Sequence, residues 1–173
     1  MSNKALIVVD MLKDFIDKDG ALYCGDKARD IIPFVQERIE EMRNTGGTVI
    51  FLQDNHSKDD LEFEMYPKHC VKGTKGAEII DEIEVKENDI IIPKTRYSGF
   101  YNTELEELLE EKGIDEVEVL GVCTSICVMD TVGDLRNRDY FVTVRKDGVA
   151  DFDEEAHKFS LKRMERIYGA KVI

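Results

Sequence analysis

The feature that most constrains this chain is a series of short, almost wholly apolar runs separated by stretches with helical periodicity. Apolar runs this short, without polar alternation, are typical of strands buried on both faces of a parallel sheet. Five such runs stand at residues 5–9, 48–52, 90–93, 117–121 and 140–144. They predict a mostly parallel sheet, to which residues 171–173 are expected to add a final edge strand.

Helical patterns fill the intervals between the runs. Residues 31–44 carry apolar side chains at nearly every third or fourth position and stop before two glycines. Residues 103–112 repeat the scheme, with Thr103 as the expected N-cap and Glu106 completing a capping box. Both segments therefore predict amphipathic helices that cover the sheet.

The last helix is expected to follow Asp151 or Asp153, either of which is a suitable cap. Phe159, Met164 and Ile167 would fall on or near its buried face. Strands alternating with helices predict an α/β fold, with a doubly wound, Rossmann-like parallel sheet between two helical layers. The 173 residues predict a single domain over residues 1–173.

The composition excludes several classes of function. A formal net charge of −13 leaves no basic footprint for nucleic acid or an anionic membrane surface. No apolar run reaches membrane-spanning length, and no secretion signal follows Met1, so we expect a cytoplasmic protein. The four cysteines do not suggest a disulfide framework in a chain of this length.

Chemically capable side chains follow four of the apolar runs: Asp10, Asp54, Lys94 and Cys127. The carboxyl ends of parallel strands meet at one edge of the sheet, where ligands bind. Singly, such an aspartate is usually a cap or turn residue, and such a cysteine is usually a small buried hydrophobe. Together they predict a thiol nucleophile with Asp10 as its base and Lys94 favouring the thiolate. A helix expected to begin at Cys127 would stabilise the same thiolate.

A second group of side chains suits a metal ion. Asp54 and His56 point to the same side of an extended segment, and His69 lies in the long polar connection 55–80. Two imidazoles and a carboxylate suit zinc, iron or manganese. The alternative is that these are ordinary surface residues, since Asp-x-His alone is a weak motif.

Four segments resemble a known family. They are Asp10-Met-Leu-Lys-Asp-Phe15, Lys94-Thr-Arg-Tyr-Ser-Gly-Phe100, Gly121-Val-Cys-Thr-Ser-Ile-Cys-Val128 and Tyr66-Pro-Lys-His-Cys-Val-Lys-Gly-Thr-Lys-Gly-Ala-Glu78. The chain resembles the isochorismatase-like cysteine hydrolases, and within them the nicotinamidases. The resemblance runs nearly from end to end.

The resemblance implies hydrolysis of nicotinamide to nicotinate and ammonia, in NAD salvage, through a thioester on the nucleophilic cysteine. It implies a triad of Asp10, Lys94 and Cys127, with an oxyanion hole formed by the backbone N–H groups of Cys123 and Cys127. The peptide bond before Cys123 is expected to be cis.

The resemblance also implies a substrate pocket and a metal centre. Phe15 and Tyr66 would sandwich the substrate ring, and a divalent metal, first of all zinc, would be bound. Its implied ligands are Asp54, His56, His69 and Glu62, with Glu64 as the alternative to Glu62. The family further implies a homodimer or homotetramer acting on a small amide.

Two departures from the family pattern leave other substrates open. Leu12-Lys13 stands where Gln-Asn is common, and Cys123-Thr-Ser125 stands where Ala-Thr-Asp is common. The alternatives are another small amide, a carbamoyl compound, or isochorismate without a metal. A non-catalytic binding protein or redox sensor using Cys123 and Cys127 would leave Asp10 and Lys94 unexplained.

Overall fold

The computed structural model describes residues 3–173, so the first two residues of the expected domain lie outside it. Six strands form one sheet in the order β3-β2-β1-β4-β5-β6, and every neighbouring pair is parallel. The strands are β1 (Lys4–Val9), β2 (Thr48–Asp54), β3 (Ile90–Lys94), β4 (Glu116–Val122), β5 (Phe141–Ala150) and β6 (Lys171–Val172). The predicted parallel sheet is therefore confirmed, as is the short edge strand at the end of the chain.

Helices cover both faces of the sheet. They are α1 (Lys13–Ile16), α2 (Asp26–Asp30), α3 (Ile32–Asn44), α4 (Leu105–Glu111), α5 (Met129–Asn137) and α6 (Glu154–Arg166). Alternate residues of β1 enter two different cores: Ile7 packs with residues of α4, α5 and α6, whereas Leu6 packs with residues of α3. This division gives the three-layer α/β/α arrangement expected from the apolar runs.

Helix α4 begins later than predicted. It runs from Leu105 to Glu111, and the Glu104 side chain makes no capping bond. The Thr103 hydroxyl accepts a hydrogen bond from the Leu105 N–H at 3.3 Å, the bond expected of the predicted N-cap. The capping role of Thr103 is therefore confirmed, whereas the Glu106 side chain makes no hydrogen bond to the Thr103 N–H among the described residues.

Helix α6 is capped by Asp153, whose carboxylate accepts from the N–H groups of Glu155 and Ala156. Its buried stripe differs from the prediction. Met164 is fully buried, but Phe159 and Ile167 are 62% and 67% exposed. The buried partner of Met164 is Ser160, four residues earlier, so a small side chain rather than an aromatic one faces the core.

The connection between β2 and β3 is irregular, as expected, but it is tied down at both ends. His56 and Val71 form a parallel bridge, and Leu12 and Ile79 form an antiparallel one. Two short 3₁₀ helices lie within it, at Leu61–Glu64 and Lys75–Ala77. Among residues 3–173, no helix combines the length and the apolar character needed to cross a bilayer.

Candidate active site and metal centre

The sheet brings the predicted side chains together at its carboxyl edge. Asp10 follows β1, Asp54 and Lys94 end β2 and β3, and Cys127 lies five residues after β4. Asp54 and Lys94 are direct neighbours in the register of β2 and β3. All four side chains are buried.

Lys94 is the centre of this cluster. Its ammonium lies 2.9 Å from Oδ2 of Asp10, donates to Oδ1 of Asp54 and lies 3.6 Å from Sγ of Cys127. Burial favours the neutral amine, but the two carboxylates outweigh it and raise the pKa of Lys94 well above its usual value. The buried lysine therefore stays charged and holds both aspartates in place.

Asp10 is suited to moving a proton near neutral pH. Its backbone has a φ of 50°, and its Oδ1 accepts the Asp54 N–H at 3.0 Å. Burial and the Asp54 charge raise the pKa of Asp10 to about 6, with Lys94 opposing them. A base with a pKa this near neutrality can both accept and return a proton.

Cys127 departs from the prediction in its place relative to the helix. The helix does not begin at the cysteine, because a π-helical turn at Thr124–Val128 precedes α5 and places Cys127 fourth in that turn. Burial raises the pKa of the Cys127 thiol well above its usual value, and Lys94 lowers it only in part. The sulfur therefore needs a base to remove its proton, the role predicted for Asp10. An Asp10 carboxylate oxygen lies within 4.8 Å of Sγ.

The turn that carries the nucleophile is held by its backbone and its neighbours. The Val122–Cys123 peptide bond is cis, as the resemblance implied. Gly121 has a φ of 115°, and a Cβ there would lie 2.1 Å from the Val9 carbonyl oxygen, so only glycine fits. The Asp151 carboxylate accepts the Ser125 N–H at 2.8 Å. The oxyanion-hole role of the Cys123 and Cys127 N–H groups stays a prediction.

The predicted metal ligands converge beside this cluster. One donor atom from each of Asp54, His56 and His69 lies within 4.8 Å of the others. Glu62 places Oε2 at 4.0 Å from His56 Nε2 and Oε1 at 4.0 Å from His69 Nε2. Glu62 is buried and Glu64 is exposed, so the geometry favours Glu62 over the alternative.

The hydrogen bonds of the two histidines fit a metal site. His56 Nδ1 lies 3.1 Å from Asp60 Oδ2, and His69 Nδ1 lies 2.8 Å from the Pro67 carbonyl oxygen. Acceptors at these positions require the hydrogen on Nδ1 and leave each Nε2 lone pair for a cation. In the part of the chain that the structure describes, His56 Nε2 and Glu62 Oε2 are buried without a hydrogen-bond partner. The donor set therefore fits a divalent metal ion such as zinc.

A cavity of about 470 Å³ opens above the cluster, and Cys127 lies in its wall together with Asp54, Glu62 and His69. Phe15 and Tyr66 both line it, as predicted residues of the substrate pocket. Sequence reasoning missed other lining residues: residues 21–24, Tyr97, Ile126 and Phe152. Tyr97 lies within the lysine motif and was open to prediction, whereas no pattern marks Phe152.

The third histidine, His157, lies outside both groups. It is half-buried on α6, and its Nδ1 lies 2.8 Å from the Thr124 hydroxyl, a contact that joins α6 to the turn before α5.

Comparison with known proteins identifies the family. The model of the isochorismatase domain matches residues 4–173. The chain belongs to the isochorismatase family. It lies within the nicotinamidase branch, and it is an amidohydrolase.

Solved structures of relatives cover the whole chain. A nicotinamidase from Bacillus subtilis is 34% identical, with a TM-score of 0.92 over 99% of both chains. A pyrazinamidase from Pyrococcus horikoshii, solved in complex with zinc, is 32% identical, with a TM-score of 0.94 over 99% of both chains. An N-carbamoylsarcosine amidase from Thermoplasma acidophilum is 36% identical, with a TM-score of 0.89 over 98% of this chain and 94% of that one.

Proposed function

We propose that the chain is a nicotinamidase that hydrolyses nicotinamide to nicotinate and ammonia. The observation that carries this proposal is that the metal donors and the nucleophile share one cavity, in which Asp54, Glu62, His69 and Cys127 all form part of the wall. A metal within reach of the cysteine suits a substrate with a metal-binding ring nitrogen and an amide on the same ring. The nicotinamidase and pyrazinamidase among the similar structures support the same conclusion.

In the proposed mechanism, Asp10 accepts the thiol proton as the sulfur of Cys127 attacks the amide carbonyl carbon. The tetrahedral oxyanion accepts hydrogen bonds from the backbone N–H groups of Cys123 and Cys127, each worth about 3 kcal/mol of barrier. Asp10 returns the proton to the leaving nitrogen, so that ammonia departs and a thioester remains. Water then adds to the thioester, giving its proton to Asp10, and nicotinate leaves as the thiol is restored.

The remaining residues orient the substrate. When bound by Asp54, His56, Glu62 and His69, a divalent metal supplies a Lewis-acid position for the pyridine nitrogen. Phe15 and Tyr66 provide apolar surface for the ring, and Lys94 keeps both aspartates in position. Holding the amide against Cys127 is a large contribution, because correct orientation alone can remove about 7–11 kcal/mol of a barrier.

A carbamoyl amide is the second candidate substrate. The similarity to the N-carbamoylsarcosine amidase supports it, as does the departure at Cys123-Thr-Ser125 from the nicotinamidase pattern. An aliphatic carbamoyl compound has no ring nitrogen for a metal and no ring to place between Phe15 and Tyr66. Nicotinamide therefore explains more features of the cavity, because it uses both the metal donors and the two aromatic side chains.

Purified, zinc-loaded protein is expected to release ammonia from nicotinamide and pyrazinamide with kcat/KM at least about 100-fold above that for N-carbamoylsarcosine or benzamide. Benzamide keeps the ring but lacks the nitrogen, so it isolates the contribution of the metal. An ammonia-release assay over this panel makes the test. Preference for the carbamoyl compound would replace the proposed substrate, and equal rates on benzamide and nicotinamide would remove the role of the ring nitrogen.

Replacement of His69 by alanine is expected to weaken zinc binding by at least about 100-fold, since even changes behind the ligands cost about 10- to 100-fold. The matched control is His157→Ala, which removes the histidine that lies on α6 against Thr124. Elemental analysis after dialysis against a graded chelator series measures the zinc content of both variants. Equal zinc content in His69→Ala and His157→Ala would contradict the proposed ligand set.

We place this reaction in the salvage of NAD and in the cytoplasm, and we expect a homodimer or homotetramer. This expectation rests on the resemblance to the family. Among residues 3–173, several large apolar side chains are more than half exposed: Leu61, Met65, Tyr101, Phe141, Phe152, Phe159 and Ile167. Light scattering coupled to size-exclusion chromatography measures the oligomeric state.

A further inference from the structure

Asp60 makes contacts that none of the roles above requires. Its side chain is 8% exposed, Oδ1 accepts the Glu62 N–H at 2.9 Å, and Oδ2 lies 3.1 Å from His56 Nδ1. An ionised carboxylate only accepts hydrogen bonds, so its contact with His56 places the ring hydrogen on Nδ1. One carboxylate therefore touches two of the proposed metal ligands without being one of the four.

Arg96 fixes this carboxylate. Its Nη1 lies 3.1 Å from each of the two Asp60 oxygens. The backbone carbonyl of the same arginine accepts a hydrogen bond from the Lys94 ammonium at 3.0 Å. Arg96 thus contacts the catalytic cluster through its backbone and the support of the metal centre through its side chain.

In the described part of the chain, two buried atoms of the proposed metal ligands lack hydrogen-bond partners, and both belong to residues that Asp60 contacts. Within residues 3–173, His56 Nε2 and Glu62 Oε2 are buried and make no hydrogen bond, and they lie 4.0 Å apart. The hydrogen on Nδ1 leaves the Nε2 lone pair facing Glu62, and the bond to the Glu62 N–H holds the start of the 3₁₀ helix Leu61–Glu64. Asp60 thus contacts both of the residues that carry these free atoms, and Oδ2 of the ligand Asp54 lies 3.5 Å from the same His56 Nε2.

We propose that Asp60 is a positioning residue for the metal centre, and that Arg96 holds it in place. Asp60 sets the tautomer of His56 and the placement of Glu62, so that both donors are preorganised before a metal arrives. This inference rests on the proposed metal site and adds a residue pair to it.

A simpler role for Asp60 would be that of a helix cap. Asp60→Asn separates the two roles, because asparagine is an equally good cap but cannot accept from both Arg96 and His56. One of the two terminal groups of the asparagine side chain is an NH₂ donor, which would face the N–H of His56 or of Arg96. The cap survives in this variant, whereas the control of the His56 tautomer is lost.

Zinc affinity is the first readout. Chelator-stripped protein is titrated with Zn²⁺ in competition with a chromogenic chelator, with no substrate present. Asp60→Asn is expected to bind Zn²⁺ about 10- to 100-fold more weakly than the wild type, the usual cost of losing an outer-shell partner. Asp59→Asn, at the exposed neighbouring position, is the matched control and is expected to bind as the wild type does.

The tautomer is the second readout, and a cap alone would not move it. The chain has three histidines, so long-range ¹H–¹⁵N spectra of metal-free protein at alkaline pH resolve each imidazole. Wild-type His56 is expected to carry its hydrogen on Nδ1, and Asp60→Asn is expected to lose that preference. Arg96→Gln is expected to show a smaller shift in the same direction.

The outcomes separate the two proposals. A wild type that binds no Zn²⁺ would defeat the proposed metal site itself. Wild-type zinc binding with the His56 hydrogen on Nε2 would overturn the role of Asp60 without needing any variant. An unchanged His56 tautomer in Asp60→Asn would also overturn it, whatever the zinc affinity of the variant, and so would zinc affinity equal to that of the wild type.

Discussion

Replacement of Cys127 by alanine is expected to lower kcat for nicotinamide on the order of 10⁶-fold, to the limit of an ammonia-release assay. Losing the nucleophile of a catalytic triad has an effect of this size, because the other triad members have nothing left to activate. In this chain Lys94 and Asp10 would remain in place around a methyl group, which has no sulfur to attack the substrate. Acid quench of the wild type during turnover is expected to trap a nicotinoyl adduct, seen as a mass shift. The same shift is expected to be absent from the variant.

Cys70→Ala is the matched control. Cys70 is also a fully buried free thiol, but it packs against Leu12 and Ala77 and does not line the cavity. The Cys70→Ala enzyme is expected to retain most of the wild-type turnover. Turnover by Cys127→Ala within tenfold of the wild type would exclude the sulfur as nucleophile, whatever the behaviour of Cys70→Ala.

Replacement of Asp10 by asparagine is expected to lower kcat by about 10² to 10⁴, the usual contribution of a general base. The same change is expected to stabilise the metal-free protein at neutral pH. The amide would keep the size of the side chain and remove a buried charge that faces Asp54. Activity and stability are therefore expected to move in opposite directions.

The pH dependence of this stabilisation has a definite sign. Burial, followed by the Asp54 charge, raises the pKa of Asp10 from 3.8 to about 6 in the folded protein. A raised carboxyl pKa means that ionisation disfavours the folded state, so the cost is absent below the unfolded pKa and is complete once the pH is well above 6. Urea unfolding in chelator is expected to show the advantage of Asp10→Asn at pH 7 and its disappearance near pH 4.

Asp19→Asn, at an exposed position, is the control for removing one carboxylate from an acidic chain. It is expected to leave both kcat and the pH dependence unchanged. An Asp10→Asn enzyme with wild-type turnover would exclude Asp10 as the base. An Asp10→Asn protein less stable than the wild type at pH 7 would show that the carboxylate is net stabilising in its pair with Lys94.

Much of the active site was predictable because its geometry follows from the topology. Parallel strands end at one edge, so Asp10, Asp54 and Lys94 had to meet once their apolar runs were recognised as neighbours. The side chains themselves could be located from local sequence. Their protonation could not, because the pKa of Cys127 depends on how deeply the sulfur is buried.

The parts that could not be predicted depend on distant partners. Asp60 lies in a polar stretch that resembles an ordinary surface turn, and its importance arises from Arg96, thirty-six residues further along the chain. The exposure of Phe159 has a similar origin, because Ser160 and Met164 are the residues of α6 that the rest of the fold buries. Periodicity gives the side of a helix only approximately, and packing decides which residue faces inward.

The division of the site between two kinds of structure has a consequence for its evolution. Asp10 and Lys94 stand at the ends of β1 and β3, on either side of β2, and Cys127 lies on the turn after β4. His56, Glu62 and His69, by contrast, all belong to the one connection between β2 and β3. Exchange of that connection alone would change which molecules the enzyme accepts, while the bond-breaking apparatus stayed where it is. In such a fold, new substrates would follow from replacing a single connection, and the same connection is the natural unit to graft in an engineered amidase.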